Sequence, residues 1–318
     1  MRLFKVNKPG LFTTVQDLGR YGFQRYGVPV SGAMDNFAFT LANYLVGNRS
    51  NDACLEITLL GPELEFLSDS WVAITGANLS PTLNGEEVAS WQTLAFHKGD
   101  MLSFGQPRCG CRAYLAVRGG INVPLVMNSR STHVRGGLGG FRGRRLRAED
   151  IVEGFEIGRL KKGFCLPKEL VPFYLNELEV EVVFGPQSEY FTNEGREAFL
   201  SSDYVVTVES DRMGYRLDGL RVERRGSLDM VSDAISVGSV QVPESGRPII
   251  MMRDAQTTGG YPKVGVVTAP DVSLLGQVKP NDEIKFSQTS PSRARAGFLE
   301  YMRDLQNVRN MLLNLELY

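Results

Sequence analysis

Hydrophobic and polar residues alternate along most of the chain, and this period of two is the pattern of half-buried β-strands. In the first half the alternation covers residues 55–117, including the runs 71–74 and 101–104. The dipeptide Asn84-Gly85 separates two short alternating runs there, which predicts a tight β-hairpin. Strand-like runs resume between residues 178 and 286. The pattern therefore predicts a mainly β protein.

Two stretches instead show apolar residues every three or four positions, which is typical of an amphipathic helix. The first begins near Ser31, which we expect to be its N-cap, with Asp35 in the first turns and Gly47 at the end. The second runs from Arg293 to the C-terminus. We expect this C-terminal helix to pack on the rest of the chain.

A weak internal duplication bears on the domain organisation. Residues 98–104 and 280–286 each read as a turn, an acidic residue and an alternating strand that ends in phenylalanine. Residues 157–172, which lie between them, are irregular and partly basic, as expected of a crossing between domains. The duplication favours two β-barrel-like halves with few short helices. We predict an N-terminal β-rich domain over residues 1–160, a β-barrel domain over 175–290 and a C-terminal helix over 292–318.

Charge and composition narrow the class of protein. The 318 residues include 35 Lys plus Arg and 36 Asp plus Glu, so no net field attracts nucleic acid or an anionic membrane. No window reaches the ~18 apolar residues of a membrane span, and the N-terminus lacks a secretory pattern, so we expect a cytoplasmic protein. Among the four cysteines, Cys54 and Cys165 stand alone and Cys109-Gly-Cys111 is too closely spaced for a zinc knuckle. We expect neither disulfides nor a metal site.

Residues 128–147, the Arg/Gly loop, contain six arginines, five glycines and no acidic residue. Glycine lets backbone N–H groups approach an anion, and the arginine fork matches a carboxylate or a phosphate. The loop is therefore either an anion-binding loop, with Ser131 and Arg135 as candidate ligands, or a solvated basic loop. His133 within it is a polar ligand, an acid–base group or a surface residue without a role. The motif of P-loop nucleotide sites does not occur in the sequence.

Two further polar loops follow strand-like runs in the second half. One places Asp211, Arg212 and Tyr215 on a single tight turn. These groups either orient a small polar substrate or form an Asp–Arg pair that stiffens the turn. The other loop combines an amide, two hydroxyls and a phenol with two glycines, in Gln256, Thr257, Thr258 and Tyr261. A polar loop of this kind is typical of a binding site.

Eight blocks in order along the chain carry a resemblance to a known family. They are Gln16-Asp-Leu-Gly-Arg20, Gly27-Val-Pro-Val-Ser-Gly-Ala-Met-Asp35, Leu45-Val-Gly-Asn48, Gly61-Pro62, residues 129–147, Gly185-Pro-Gln187, Ser210-Asp-Arg-Met-Gly214 and Gln256-Thr-Thr-Gly-Gly-Tyr-Pro262. Together they resemble the allophanate hydrolase subunit 2 family, also called the biotin-dependent carboxyltransferase family. The resemblance covers residues 3–288. The family includes the C subunit of bacterial 5-oxoprolinase and part of the carboxyltransferase region of urea amidolyase.

The resemblance implies a cyclophilin-like β fold and a sister subunit of related fold. It implies one of two activities. In the first, this chain, its sister and a third partner form an ATP-dependent enzyme that opens 5-oxo-L-proline to L-glutamate, with ATP held by or shared with a partner. In the second, the site takes carboxybiotin and urea. A third, non-enzymatic hypothesis is a regulator that binds a sister protein which inhibits a sporulation kinase.

Within the first activity the candidate residues take separate roles. Asp211, Arg212 and Gln256 are the candidate catalytic residues. Arg135 or Arg212 would hold the substrate carboxylate, while Gln256, Thr257 and Thr258 would hydrogen-bond the ring amide. The remaining candidates are Ser131, Tyr215 and Tyr261 for substrate binding, and Asp17, Arg20 and Asp35 for a partner or structural loop.

The chain also carries features that discriminate between these hypotheses. A urea carboxylase needs a biotin carboxylase domain and a biotinylated lysine, and neither occurs in this sequence. A regulator would need an interaction surface but not the polar loops. We therefore favour the 5-oxoprolinase hypothesis.

Overall fold

The computed structural model describes residues 1–158, 160, 162–226 and 230–316, with side chains as far as Leu312. It is mainly β, which confirms the predicted fold class. The chain divides into two compact units. The first comprises Met1–Arg20, Ser31–Tyr174 and Arg303–Tyr318, and the second comprises Tyr21–Val30 and Leu175–Met302. The segment Tyr21–Val30 thus belongs to the second unit, although the predicted range 1–160 included it.

The first unit contains eleven strands in two sheets among the described residues. They are β1 (Arg2–Lys8), β2 (Phe12–Gln16), β3 (Cys54–Thr58), β4 (Glu63–Phe66), β5 (Ser70–Asn78), β6 (Pro81–Leu83), β7 (Glu86–Glu87), β8 (Thr93–Phe96), β9 (Met101–Phe104), β10 (Cys109–Val117) and β11 (Ile151–Glu153). One sheet has the order β11-β1-β4-β9-β6-β7, and the other has the order β2-β3-β10-β5-β8. Apolar residues of both sheets share one core, which includes Phe4, Phe66, Leu55 and Leu115. Burying each such side chain contributes about 1.5 to 3 kcal/mol.

The predicted hairpin at Asn84-Gly85 is confirmed. These two residues connect β6 to β7, with Leu83 opposite Glu86. Both have positive φ, 54° and 90°, as a two-residue hairpin turn of the primed type requires.

Helix α1 (Asn36–Leu45) begins later than the sequence pattern predicts. Its N-cap is Asp35, whose Oδ1 accepts a hydrogen bond from Ala38 N at 3.0 Å. The prediction that Ser31 is the N-cap is wrong, because Ser31 has a left-handed backbone with φ 56°. The following residues form a loop in which Ala33 N donates to Asp17 O at 2.8 Å. Asp35 therefore has a local capping role.

The second unit is built around a closed barrel. Its strands are β12 (Glu177–Phe184), β13 (Asp203–Val206), β14 (Gly214–Asp218), β15 (Asp233–Ala234), β16 (Ser239–Gln241), β17 (Ile249–Met251), β18 (Thr258–Gly259), β19 (Lys263–Val267) and β20 (Glu283–Gln288). Seven of them close in the order β12-β19-β16-β17-β14-β13-β20, while β15 and β18 form a separate pair. Helices α2 (Asn193–Ser201) and α3 (Ala269–Leu275) complete the fold of this unit. Phe199 of α2 stacks on Phe286 with ring centroids 4.3 Å apart, so α2 packs on the barrel core.

The predicted C-terminal helix is confirmed as α4 (Pro291–Glu316). Leu305, Val308 and Leu312 are buried in line with the apolar spacing, whereas Phe298 and Met302 are exposed. In the part of the chain that the structure describes, none of the helices is long and apolar enough to span a membrane.

The duplicated turn is present, and the structure adds a third copy. In each copy the carboxylate of an aspartate accepts a hydrogen bond from the backbone N–H of the residue three positions earlier. The backbone N–H of the aspartate donates to the carbonyl oxygen of that same residue. The residue just before the aspartate has positive φ, and a strand starts directly after it. The pairs are His97 and Asp100, Arg147 and Asp150, and Lys279 and Asp282. Both units therefore start strands with the same local turn.

Candidate active-site loops

In the first unit Asp17 joins two of the motif loops. It follows β2 directly and is almost fully buried. Its carboxylate accepts hydrogen bonds from Gly19 N at 2.9 Å, Ser129 Oγ at 2.8 Å and Arg130 N at 2.6 Å, and from Ser131 Oγ. The predicted substrate ligand Ser131 thus has its hydroxyl bonded to Asp17. This carboxylate fixes the start of the Arg/Gly loop against the end of β2.

Arg20 also holds the start of the Arg/Gly loop against the end of β2. The residue is fully buried, and its guanidinium donates from Nε to Val126 O at 2.9 Å and from Nη2 to Ser131 O at 2.8 Å. Gly139 has φ 63°, and a Cβ there would come within 2.5 Å of Arg20 Nη2 and closer still to the carbonyl oxygen of Ser131. A glycine at position 139 therefore leaves the space that Arg20 and the Ser131 carbonyl group occupy.

Three of the six arginines in the Arg/Gly loop contact parts of the first unit outside the loop, and a fourth, Arg142, lies over a ring within it. Arg144 forms two hydrogen bonds with Asp150, at 2.7 and 2.8 Å. Burial raises the pKa of Asp150, but hydrogen bonds from Arg144 and the Arg147 backbone outweigh it and hold the pKa below its ordinary value. The other contacts are Arg130 Nε to Val123 O at 3.1 Å, Arg145 Nη1 to Leu11 O at 3.1 Å, and the Arg142 guanidinium 5.3 Å from the Phe141 ring. Several arginine side chains of the loop therefore serve to fix its conformation.

The tip of the Arg/Gly loop is a tight turn between His133 and Leu138. Their backbones exchange two hydrogen bonds, at 2.9 and 3.1 Å. Arg135 lies exposed within this turn, whereas His133 is buried. Arg135 is therefore a solvent-exposed residue at the tip of the loop.

A buried polar cluster in the first unit was not predicted. Glu56 is fully buried in β3, and its Oε2 accepts hydrogen bonds from Tyr114 OH at 2.9 Å and Met34 N at 2.8 Å. Tyr114 OH in turn accepts from Asp35 N at 2.8 Å, and Tyr174 OH donates to Asp35 Oδ2 at 3.1 Å. Burial, with the charges of Glu56 and Asp35, raises the pKa of Tyr114 well above its ordinary value. The cluster holds the loop that precedes α1.

In the second unit the two predicted polar loops lie side by side. Strands β14 and β17 pair antiparallel with Gly214 opposite Met251, so the loop before β14 meets the loop after β17. Met252 N donates to Met213 O at 2.9 Å, which continues the pairing beyond the strands. Residues about 40 positions apart in sequence are thereby brought together.

Arg212 and Asp254 form a bidentate ion pair across these loops. Arg212 Nε lies 2.8 Å from Asp254 Oδ2, and Nη2 lies 3.2 Å from Oδ1. The two residues are only 6% and 8% exposed. Asp211, which we expected beside Arg212, is exposed and instead accepts a hydrogen bond from Met213 N at 2.7 Å. An Asp–Arg pair was one of the two alternatives for this turn, and the pair that is seen joins Arg212 to Asp254, because the pairing of β14 with β17 brings the two loops together.

The loop after Asp254 presents several predicted ligands at the surface. Gln256 and Thr258 are exposed, and Tyr261 retains 48% exposure. Thr257 is half-buried, and its carbonyl oxygen accepts from Ile235 N at 2.9 Å. Tyr215 differs from these residues, because it is buried within β14 at 2% exposure.

A short strap, residues 233–236, lies against this loop and was not predicted. Its strand β15 pairs with β18. Asp233 Oδ2 accepts from Lys263 Nζ at 2.7 Å and from Gln187 Nε2 at 2.8 Å. The hydrogen bond and charge of Lys263 lower the pKa of the Asp233 carboxyl. The strap is thus fastened to the barrel beside Thr258.

The amino-acid sequence is similar to those of known proteins. Residues 26–288 match the family model described as the carboxyltransferase domain, subdomain A and B. The chain belongs to this carboxyltransferase family. It is 38% identical over 292 residues to the C subunit of 5-oxoprolinase from Escherichia coli, covering 92% of this chain and 93% of that one. It is 37% identical to the C subunit of 5-oxoprolinase from Haemophilus influenzae, covering 88% and 89%.

A solved relative has the same fold. The crystal structure of urea amidolyase from K. lactis superposes with a TM-score of 0.91 at 33% identity, over 96% of this chain. This chain spans 20% of the length of that protein. The motif-based resemblance to the carboxyltransferase family is confirmed, and all the candidate residues except Asp17 and Arg20 lie inside the matched range.

Proposed function

We propose that this carboxyltransferase-family chain is the C subunit of an ATP-dependent 5-oxoprolinase, which opens 5-oxo-L-proline to L-glutamate together with two partner subunits. In this reaction the C–N bond of the lactam breaks and water supplies the oxygen of the new side-chain carboxylate. The ring nitrogen becomes the amino group of glutamate. The observation that carries the proposal is the match over 93% of the E. coli protein, against a fifth of the K. lactis urea amidolyase.

The loops of the second unit supply groups that suit this substrate. 5-Oxo-L-proline carries a carboxylate and a ring amide. We assign the carboxylate to one of the two candidate arginines, Arg212 beside this loop or Arg135 in the first unit, since a guanidinium binds a carboxylate through charge-assisted hydrogen bonds. We assign the amide to Gln256, Thr257 and Thr258, with Asp211 as the nearby carboxylate for proton transfer.

The first unit offers a second candidate for the carboxylate. Arg135 lies in the exposed tip of the Arg/Gly loop, and its guanidinium is complementary in charge and shape to a carboxylate. The two arginines are distinguished by substitution: the one that binds the substrate carboxylate raises KM for 5-oxo-L-proline when replaced by alanine, with assembly of the complex unchanged.

ATP drives the ring opening by activating the amide oxygen. The sequence contains no P-loop motif, so we assign ATP binding to a partner subunit or to a site shared with one. The chain by itself then lacks both the nucleotide and part of the chemistry. The proposal therefore includes activity only in the assembled enzyme.

Reconstitution tests the proposal. The purified chain is assayed alone, with its sister subunit, and with the sister and third subunits, for ADP and L-glutamate formed from ATP and 5-oxo-L-proline. We expect no turnover from the chain alone and equal amounts of the two products from the complete set. Turnover by the lone chain, or none by the complete set, would refute the proposal.

The alternative is the carboxyltransferase component of a biotin-dependent urea carboxylase. The fold shared with K. lactis urea amidolyase favours it. The same assay separates the two functions when urea and a biotinylated carrier protein replace 5-oxo-L-proline. ATP consumption that depends on urea and the carrier, and not on 5-oxo-L-proline, would support the alternative.

A further inference from the structure

We propose that a cavity in the first unit binds a small aliphatic dicarboxylate that carries no amino group. The cavity has a volume of about 200 Å³ and is lined by residues from the end of α1, from the loop that follows α1 and from α4. The lining residues that the structure describes include Arg49 and Arg309, and all of them belong to the first unit. Neither arginine belongs to the loops on which the proposed function rests.

The two arginines of the cavity can offer their N–H groups to a ligand. Both residues are exposed. Within the part of the chain that the structure describes, neither guanidinium has a hydrogen bond or an ion pair with another residue. Arg118, which holds the end of α1, differs from them, because its Nη1 donates to Val46 O at 3.0 Å and its Nε donates to Gly158 O at 2.6 Å. Arg49 and Arg309 therefore keep their capacity for an anion from solution.

The cavity carries positive charge without a counter-charge. Among the lining residues that the structure describes, two are arginines and none is acidic. Asp52 is near in sequence, but it does not line the cavity, and its Oδ2 accepts from the backbone N–H of Arg49 at 2.9 Å. Two guanidinium groups around one cavity create a positive potential that a ligand with two carboxylates cancels. An ammonium group on the ligand would be repelled by both arginines and would weaken binding.

The rest of the wall suits a hydrocarbon chain. Phe164 and Leu312 line the cavity with only 4% of their surface exposed, and Tyr44 lines it beside them. An apolar cavity of about 150 Å³ can hold a benzene molecule, so this one has room for several carbon atoms between two carboxylates. A compact anion such as phosphate or sulfate would leave the apolar wall without a contact. The wall therefore favours an organic dianion.

The backbone that carries Arg49 is held in place without a ligand. The side chain of Asn48 donates to Asn43 Oδ1 at 3.0 Å and to Val117 O at 2.9 Å. The hydrogen bond from Arg49 N to Asp52 fixes the next residue. A site on a fixed backbone loses less conformational entropy on binding than a site that must first become ordered. The loop after α1 is therefore a preformed part of the cavity.

Calorimetric titration of the purified chain with glutarate, a straight-chain dicarboxylate, tests the proposal. We expect one glutarate per chain, with a dissociation constant on the order of 1 mM. At the same ionic strength, pentanoate lacks one carboxylate and sulfate lacks the carbon chain, so each should bind at least ~10-fold more weakly. L-Glutamate adds an ammonium group to the glutarate chain and should also bind at least ~10-fold more weakly.

Substitutions locate the site. Arg49→Gln and Arg309→Gln should each weaken glutarate binding about tenfold through the loss of charge-assisted hydrogen bonds. Their urea midpoints should equal that of the wild type, because both arginines are exposed. The matched control is Arg303→Gln, which removes the same charge from an exposed position of α4 that does not line the cavity. It should leave the dissociation constant within about twofold.

Three results would overturn the inference. They are no binding of glutarate to the wild-type chain, equal binding of sulfate, pentanoate or L-glutamate, and equal weakening of glutarate binding by all three substitutions. Because the titration needs no turnover, its outcome is independent of the proposed function.

Discussion

Replacing Gly139 by alanine tests what the glycines of the Arg/Gly loop are for. Gly139 and Gly137 have the same φ of 63°, but a Cβ at Gly137 would meet nothing within 4 Å, whereas one at Gly139 would strike Arg20 Nη2 and Ser131 O. The left-handed backbone costs either alanine about 1 to 2 kcal/mol. At Gly139 the displaced arginine also loses a charge-assisted hydrogen bond and the site is overpacked, which adds about 2 to 3 kcal/mol.

Urea unfolding followed by tryptophan fluorescence measures this difference. Both tryptophans of the chain, Trp71 and Trp91, lie in the first unit, so their emission reports on the unit that contains the loop. With an m-value of about 2 to 3 kcal/mol per molar, Gly139→Ala should unfold about 1 M earlier in urea than Gly137→Ala. Equal midpoints would show that nothing crowds position 139. The glycine would then be better explained by approach of an external anion.

Three further predictions concern single residues. Asp150→Asn should lower the unfolding free energy of the first unit at about pH 6, because a carboxyl with a lowered pKa stabilises the fold while it is ionised. The difference from wild type should shrink as the pH falls below about 4 and the carboxyl becomes protonated. Urea unfolding at several pH values measures this difference. Tyr114→Phe should cost about 3 kcal/mol of unfolding free energy in the same assay, since Glu56 and the Asp35 N–H lose a buried partner. Gln256→Ala should lower turnover of the reconstituted enzyme at least ~10-fold, with the exposed Gln306→Ala as an unaffected control.

Local patterns were sufficient where structure is decided by neighbouring residues. The Asn84-Gly85 hairpin follows from the φ values that these two residues tolerate, and the alternation of β9 follows from one buried face. The third aspartate turn was missed although its geometry is the same. Its residue of positive φ is Glu149, a residue type that signals a helix or a surface rather than a turn.

Contacts between distant residues explain the errors. Ser31 satisfies the sequence rule for an N-cap, but the backbone around it is held by Asp17 O, which bonds Ala33 N. One alternative for the turn paired Arg212 with its neighbour Asp211, whereas the structure shows Arg212 bonded to Asp254, 42 residues away. Glu56 looks solvent-facing within an alternating strand and is fully buried. None of these contacts can be predicted from the spacing of residue types along the sequence, because each depends on how distant segments meet in the fold.

The polar side chains of the two units differ in exposure, and this difference bears on which unit binds the substrate. In the first unit the motif residues Asp17, Arg20 and Ser131 bond to one another and to backbone, with almost no exposed surface. In the second unit Gln256 and Tyr261 reach the surface on the loop that follows Asp254, the partner of Arg212. The exposed amide and phenol of this loop keep hydrogen-bonding capacity for a molecule in solution, whereas the buried groups of the first unit are used mainly to hold its own loops.

This contrast gives a prediction about two matched substitutions. Asp17→Asn removes the charge that holds Ser129 and Ser131, so it should lower the urea midpoint of the first unit by an amount equivalent to about 3 kcal/mol. The remaining folded enzyme should keep its KM for 5-oxo-L-proline. Thr258→Val replaces an exposed hydroxyl by a methyl group of nearly the same size, so it should raise KM severalfold with an unchanged midpoint. If Asp17→Asn changed KM and left the midpoint alone, the chemistry would have to be assigned to the first unit instead.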